Sequence, residues 1–414
     1  MHPRDRRHRL LGCAQSLVTG RAAPPAGLPD LAATSVAFTL FTLAQLAATS
    51  KNNALMNETA ESRQAAWSET RDHNRPLKIW LPVVRAGSGS DVFVQRLAAG
   101  LRRSGHDPVV QWFPHRYELM PWRLAKVPAP EGTDLIHTGS WQAFAFKRAG
   151  LPLVVTEHHY VEHPAFAPYR GIAQAIYHRL FIGRCLRQSY HCADAIVAVS
   201  QHTAQAMTAR LGRRVDFIYN WIDAERYSAT SSQVLREEGD HKFRLLFVGN
   251  PSRRKGSDIL PELALMLGNA FEIRTLGGLR RDFHSRHTPA NLVALERVAP
   301  DDMPAVYGLV DAVLVPARYE AFGYVALEAM ACGLPVIGFD STGTREICVN
   351  GETALLCPVE DLDALARNCL KLASDRALAR HLGMAGHSRA RAHFDENTAI
   401  SSYLAIYRSL TSGH

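Results

Sequence analysis

Two carboxylates, Glu320 and Glu328, stand eight positions apart in the segment AVLVPARYEAFGYVALEAMACGLPVIGFD, residues 312–340. A buried strand is expected over 312–315, then a helix from near Phe322 to a stop at Gly333 and Pro335. Glu320 then falls just before the helix and Glu328 within its first two turns. The amides of Phe322, Gly323 and Tyr324 open that helix without intrahelical partners, and with the helix dipole they form an anion site. Gly323 lets a ligand come close to the backbone. Taken alone, the segment also fits an ordinary α/β crossover with Glu320 as a cap.

A second segment, LLFVGNPSRRKGSDILPELALML (245–267), reads as strand, glycine, cationic loop and helix. Arg253, Arg254 and Lys255 are consecutive there, at the junction where open α/β sheets bind ligands. Three adjacent cations repel one another, and a polyanion such as a diphosphate lying among them relieves this. A solvated basic turn is the alternative. KGS reverses the GK[ST] of a Walker loop, and GNPSRR lacks the second glycine of a dinucleotide fingerprint.

Both segments depend on strands that deliver their loops to one edge. Strands are expected at LKIWLPVV (77–84), GHDPVVQWF (105–113), DLIH (134–137), LPLVVTEH (151–158), AIVAVS (195–200) and VDFIYN (215–220), with helices between them. The polar stretch 224–242 reads as a linker. The alternation restarts with FRLLFVGN (243–250), FEIRTLG (271–277), NLVALE (291–296), AVLVP (312–316), LPVIGFD (334–340) and ALLCP (354–358). Two α/β units with parallel sheets, joined near residue 235, account for this order.

Composition agrees. The 414 residues are 47% apolar and 21% charged, which excludes a disordered chain, a collagen and a multi-span membrane protein. The seven cysteines are scattered and never spaced CxxC, which argues against a disulfide scaffold or zinc ribbon and for the reducing cytoplasm. Net charge is +8, unevenly placed: residues 76–240 carry 19 Lys/Arg against 14 Asp/Glu, and residues 241–414 carry 19 of each. A basic first half implies an anionic partner, such as a phosphorylated substrate or a membrane surface. Without an RNP motif, zinc finger or Lys-rich run, no nucleic acid is expected. Residues 1–75 differ from the rest, with a basic start and a 20-residue uncharged run at 31–50 that fits neither a signal peptide nor a strong membrane span. They read as a leader outside the enzyme, with Met56 as an alternative start and residues 1–55 unnecessary for folding and catalysis.

The Glu320–Glu328 pair inside EAFGYVALEAMACGLPVI, downstream of the KG loop in FVGNPSRRKG, closely resembles the family-4 retaining glycosyltransferases of GT-B fold. SGSDVFVQRLAAGLRRSGHDPVV, DAIVAVSQHTAQAM, IYNWID and GTREICVNGETALLCP resemble further family segments, so the likeness runs over about 77–395. It implies two Rossmann-like α/β domains facing each other across a cleft. An acceptor-binding domain would span 76–235 and a nucleotide-sugar domain 236–395, with a last helix (396–412) crossing back onto the first. Glu328 would bind the ribose and Glu320 the donor sugar. Lys255, with Arg254 or Arg253, would neutralise the diphosphate, and the backbone from Phe322 through Gly323 and Tyr324 to Val325 would complete the cradle. Gly89 would approach the diphosphate from the opposite face, and His158 or His159 would lie near the reacting sugar.

The reaction implied is transfer from a nucleotide sugar to the hydroxyl of a glycan or lipid-linked acceptor, in polysaccharide, lipopolysaccharide or glycolipid synthesis. The resemblance implies no metal cofactor; the cysteine usage, the basic first half and the arginines of 170–191 lead us to expect a place in the cytoplasm, peripheral on the inner face of the membrane. A sugar-nucleotide epimerase or a non-catalytic nucleotide-sugar binder would share the fold. Asn250, Trp221, Ala354 and the Ser88-Gly89 pair with Asp91 depart from the family pattern and point to local reshaping.

Two further patterns have ordinary explanations. Glu157, His158, His159, Glu162 and His163 have the composition of a metal site, but Pro164 and the strand context separate their faces. Residues 170–191 form an amphipathic helix with Arg179, Arg184 and Arg187 on one side and Ile172, Ile176 and Leu180 on the other. The apolar side is expected to pack into the domain core, anionic lipid being the alternative.

Overall fold

Every one of these twelve apolar runs becomes a parallel strand, each a short stretch rich in Val, Ile and Leu ended by glycine, proline or a polar turn. The computed structural model describes residues 75–87, 89–228, 242–277 and 288–412. The leader reading and Ser88 lie outside these residues. Residues 74–414 form one compact unit.

The first sheet contains β1 (Lys78–Val84), β2 (Asp107–Phe113), β3 (Leu135–Gly139), β4 (Leu153–Glu157), β5 (Ala195–Ala198) and β6 (Asp216–Phe217), in the order β2-β1-β3-β4-β5-β6. The second contains β7 (Phe243–Val248), β8 (Phe271–Leu276), β9 (Leu292–Ala294), β10 (Ala312–Val315), β11 (Val336–Phe339) and β12 (Ala354–Cys357), in the order β12-β11-β10-β7-β8-β9. Strand order reverses between β1 and β3 and again between β7 and β10, so each sheet has a switch-point crevice at its carboxyl edge.

Helices cover both sheets: α1 (Gly89–Arg103), α2 (Gln201–Leu211), α3 (Leu260–Leu267), α4 (Tyr324–Ala331), α5 (Thr342–Ile347), α6 (Leu362–Ser374), α7 (Arg376–His393) and α8 (Glu396–Thr411). The last helix returns to the first sheet, where Ile400, Tyr403 and Tyr407 join one core with Ile79, Leu97 and Leu135. Its anchor is polar. The two ring nitrogens of His137 meet the Tyr407 hydroxyl (2.5 Å) and Thr156 Oγ1 (2.7 Å). Burial pushes the His137 imidazole down to about 3 and that of His158 down to about 4.

Both rings are therefore neutral in the folded state, while in the unfolded chain they take up protons below the ordinary histidine value near 6.5. The unfolded state binds more protons below that pH, so stability is complete above about pH 6.5 and falls on acidification. Each ring should contribute about 1.4 kcal/mol of loss per pH unit down to its folded value. Urea midpoints at successive pH values check this, with a His137→Asn variant giving the shallower slope.

Two expectations are corrected. The side chains read as core-facing on 170–191 lie in water: Ile172 is 84% exposed, Ile176 54% and Leu180 69%. The stretch is helical from Ile172 to Cys192, as expected, but its α periodicity is not continuous. A wide π turn at His178–Ile182 separates Ile172–Tyr177 from Gly183–Cys192, and Ile182, Cys185, Leu186 and Tyr190 are buried instead. Such a turn shifts the helical face by a residue, which a fixed spacing does not anticipate. The stretch read as a linker from 224 opens with a short helix, Ala224–Ser228, and buries Tyr227.

Candidate active site

The two switch points open onto one cavity of about 630 Å³, lined from both sheets. On the second-sheet side, β7 ends in a tight turn at Arg253–Lys255, capped by the Ser252 hydroxyl accepting from the Lys255 amide (3.3 Å). Lys255 Nζ donates to Glu320 Oε1, and the Arg254 guanidinium lies 3.5 Å from Glu320 Oε2. Burial pushes the Glu320 carboxyl up, but Lys255 and Arg254 outweigh it and hold the group below the ordinary carboxylate value. The cations are therefore less bare than the sequence suggests. Glu320 offsets one of the three positive charges by pairing with both Lys255 and Arg254, so the turn keeps a positive excess, and Arg253 is exposed and outside the cavity lining.

Arg318 splints this turn, a role the sequence did not announce. Its guanidinium donates to Glu360 (2.6 and 2.8 Å), to Asp258 (2.6 Å) and to the Arg253 carbonyl, and its amide donates to the Arg254 carbonyl (2.8 Å). An arginine directly after the apolar run AVLVPA, two residues before Glu320, was the available signal, and it is buried.

Past β10 the chain enters α4 through Gly323, whose φ of +108° favours glycine. The first intrahelical bond runs from the Leu327 amide to the Gly323 carbonyl (3.2 Å). The amides of Tyr324, Val325 and Ala326 precede that bond, the unsatisfied first turn of a helix. Phe322, Gly323, Tyr324 and Val325 all line the cavity. Glu328 lies one turn further along and does not line it; its carboxylate accepts from the Tyr307 hydroxyl (2.8 Å) and the Tyr227 hydroxyl (3.2 Å). Burial raises its pKa, with Tyr307, Arg96 and Tyr227 opposing. Neither tyrosine was found from the sequence, because Tyr227 fell within the supposed linker.

The first-sheet wall carries Gly89, His158 and His159, together with Trp141, Gln142 and Glu118, which sequence reasoning missed. Gly89 starts α1 so close to the opposite wall that a Cβ there would stand 3.9 Å from the Tyr324 ring. Arg96, two turns on, lies over that ring at 5.4 Å and donates to the Trp221 carbonyl (3.0 Å). Trp221 itself is buried against Phe93 and Tyr403, filling space between α1 and α8. His158 packs edge-on to Phe93 at 4.5 Å, and burial pushes His159 down to about 3. Glu157 is buried with one oxygen accepting from the His159 amide (2.8 Å) and the other from the Tyr190 hydroxyl. Asn220 Oδ1 is a buried acceptor without a partner, and its residue lines the cavity. Among the described residues no group of three or more His, Cys, Asp or Glu is arranged to hold a metal ion.

One wall thus presents two cations, a carboxylate and open helix amides, and the other presents neutral imidazoles. Such a wall stabilises negative charge that develops on a bound group.

Known proteins share this frame. Residues 108–226 match the family model described as Glycosyltransferase Family 4, and residues 232–389 match Glycosyl transferases group 1. An uncharacterized glycosyltransferase of Methanocaldococcus jannaschii is 27% identical over 305 residues, 71% of this chain and 81% of that protein. In fold the chain is similar to sucrose-phosphate synthase of Thermosynechococcus elongatus (TM-score 0.69, 19% identity), covering 82% of this chain and all of that one. It is likewise similar to Anabaena HepE, solved with UDP-glucose (TM-score 0.63, 19% identity), covering 81% of this chain and all of that one. The two matched models follow one another through both sheets, and the chain belongs to the group 1, family-4 glycosyltransferases of GT-B fold, which use nucleotide sugars.

Proposed function

We propose that the enzyme moves a sugar from a nucleoside diphosphate to a hydroxyl of a glycan or lipid-linked acceptor, with retention, at the cytoplasmic face of an anionic membrane. The observation that best supports the transfer is the meeting of Lys255, Arg254 and Glu320 with the open first turn of α4, across the cleft from Gly89 and His158. As the bond from the anomeric carbon to phosphate breaks, charge grows on the departing diphosphate, and Lys255, Arg254 and the backbone from Phe322 to Val325 receive it. Glu320 holds the donor sugar's hydroxyls once its cations turn to the diphosphate, and Glu328, fixed by Tyr227 and Tyr307 one turn beyond the cavity lining, holds the ribose where the nucleoside extends past that lining.

Retention follows when the acceptor oxygen bonds to the anomeric carbon on the face that the phosphate leaves, passing its proton to the departing phosphate oxygen. Glu157, the buried carboxylate on the acceptor wall, has both oxygens engaged and is not offered as a nucleophile. Because side-chain cations and helix amides supply the positive charge, no metal is assigned, and turnover should survive a chelator. The anionic membrane and a role in polysaccharide, lipopolysaccharide or glycolipid synthesis rest on the basic first half of the chain. Among the described residues no helix is long and apolar enough to cross a membrane.

HepE binds UDP-glucose, so UDP sugars are the first donors to screen. A fitting donor at about 100 Kd should stabilise the fold by roughly 2.7 kcal/mol. Nucleoside diphosphate should then be released when a hydroxyl acceptor is added, and NMR of the product should show the donor's anomeric configuration. Inverted product would overturn retention. Interconversion of sugar nucleotides would make the protein an epimerase, and binding without either reaction a non-catalytic binder.

A further inference from the structure

The apolar side chains that sequence periodicity placed in the core form an exposed face instead. Ile172, Ile176 and Leu180 recur every fourth residue there. Leu119 (59% exposed) and Trp122 (56%) stand on the neighbouring turns His115–Glu118 and Pro121–Lys126. The two segments adjoin: Tyr117, Tyr177 and Phe181 pack against one core cluster, and after burial itself the Glu118 carboxylate is the main influence raising the Tyr177 phenol. Large side chains grouped in this way mark an interaction surface, unlike scattered exposed leucines.

The charges around them are mostly positive, with the carboxylates of Glu118 beside Tyr177 and Glu162 beside Gly183 as the exceptions. Arg179, Arg184 and Arg187 are exposed on the helical side, and Arg116, Arg123 and Lys126 on the other. No Asp or Glu occurs between residues 170 and 192. His115 and Glu118 line the cleft, so the face begins at the cleft's acceptor side.

We propose that this face seats the enzyme on an anionic lipid bilayer, with Ile172, Ile176, Leu180, Leu119 and Trp122 entering the interface and the arginines meeting lipid phosphates. The proposal rests on the functional reading above, since it places the cleft's acceptor wall at the surface where a lipid-linked acceptor resides. Bulky apolar side chains ringed by cations are the chemistry of a helix lying in the headgroup region. Two other occupants fit less well. A second copy on a two-fold axis would bring like-charged arginine rims together. Residues 1–75 are themselves basic, with nine Lys/Arg against six Asp/Glu, and do not complement the face.

The experiment is flotation of the full chain with phosphatidylcholine vesicles, alone and with about a third phosphatidylglycerol. Binding should require the anionic lipid and fall as salt rises. The triple variant R179Q/R184Q/R187Q should bind on the order of 10²-fold more weakly, from about 1 kcal/mol per basic residue near the surface. I172S/I176S/L180S should also lose binding, with the melting temperature kept because these side chains are already in water. Turnover on a soluble acceptor should be unchanged in both, which separates failure of this surface from failure of the transferase reading. Undiminished vesicle binding by both variants would overturn the proposal. So would binding lost only on removing residues 1–73, or a concentration-dependent dimer that the serine variant breaks.

Discussion

Lys255→Ala should lower kcat on the order of 10²-fold while changing affinity for the nucleoside part of the donor far less. In the free enzyme Lys255 is satisfied by Glu320, so its ground-state contribution is already met. Its charge matters most when the diphosphate carries more negative charge than it does in the bound substrate. An interaction strongest in the transition state is lost from kcat, whereas one equal in both states is lost from affinity. Glu328→Ala supplies the contrast: a ribose contact is the same before and during transfer, so donor Kd should rise with kcat nearly kept. Arg253→Ala should be close to wild type, because that side chain is exposed and, unlike Lys255 and Arg254, is not paired with Glu320. Steady-state kinetics with donor titrations on the three variants test this division. Near-normal turnover by Lys255→Ala would remove the cradle from the mechanism, and an Arg253 effect as large would move it to the wrong side of the turn.

The frame was legible because buried parallel strands leave a strong trace. IWLPVV (79–84) and LLFV (245–248) are continuous apolar runs with sharp ends, the mark of a strand buried on both faces. The same clarity carried Glu320, Lys255 and the α4 entrance, whose spacing in the chain is fixed by a strand, a loop and a helix start. What stayed hidden was set by tertiary contact. Glu328 is gripped by tyrosines 101 and 21 residues away, pairings that no local pattern encodes. The Ile172–Leu180 face misled because fourth-residue spacing says which side chains share a face, not whether that face looks inward. The three cations were read as an unsatisfied cluster because the charge of Glu320, 65 residues on from Lys255, could not be set against them until the fold joined β7 and β10. Arg318 was missed for a related reason: its partners Asp258 and Glu360 lie 60 and 42 residues away in opposite directions along the chain.

Gly256→Ala should impair folding and turnover together, more than any other single methyl in the site. Gly256 ends the cationic turn with φ +77°, where a side chain costs about 1–2 kcal/mol. A Cβ at this position would also stand 2.1 Å from the Pro316 carbonyl oxygen and 2.9 Å from its carbon, both backbone atoms that no rotamer change can clear. The turn and the 316–318 strand exit must separate to admit it. That separation strains the bond from the Arg318 amide to the Arg254 carbonyl and the grip of the Arg318 guanidinium on the Arg253 carbonyl. Left-handed strain and overpacking together give roughly 3 kcal/mol of lost stability, a fall in melting temperature of roughly 6–12 °C for a domain of this size. Because Arg254 and Lys255 ride on the displaced turn, kcat should fall at least as far as in Lys255→Ala. Gly351→Ala is the control, with a similar φ of +81° and nothing within 4 Å of the added carbon. It should lose only the conformational share of stability and keep its turnover. Thermal melts and kcat for the two variants decide the matter. If Gly256→Ala proved as stable and as active as Gly351→Ala, the turn would not be pinned against Pro316, and the placement of both cations beside Glu320 would have to be abandoned.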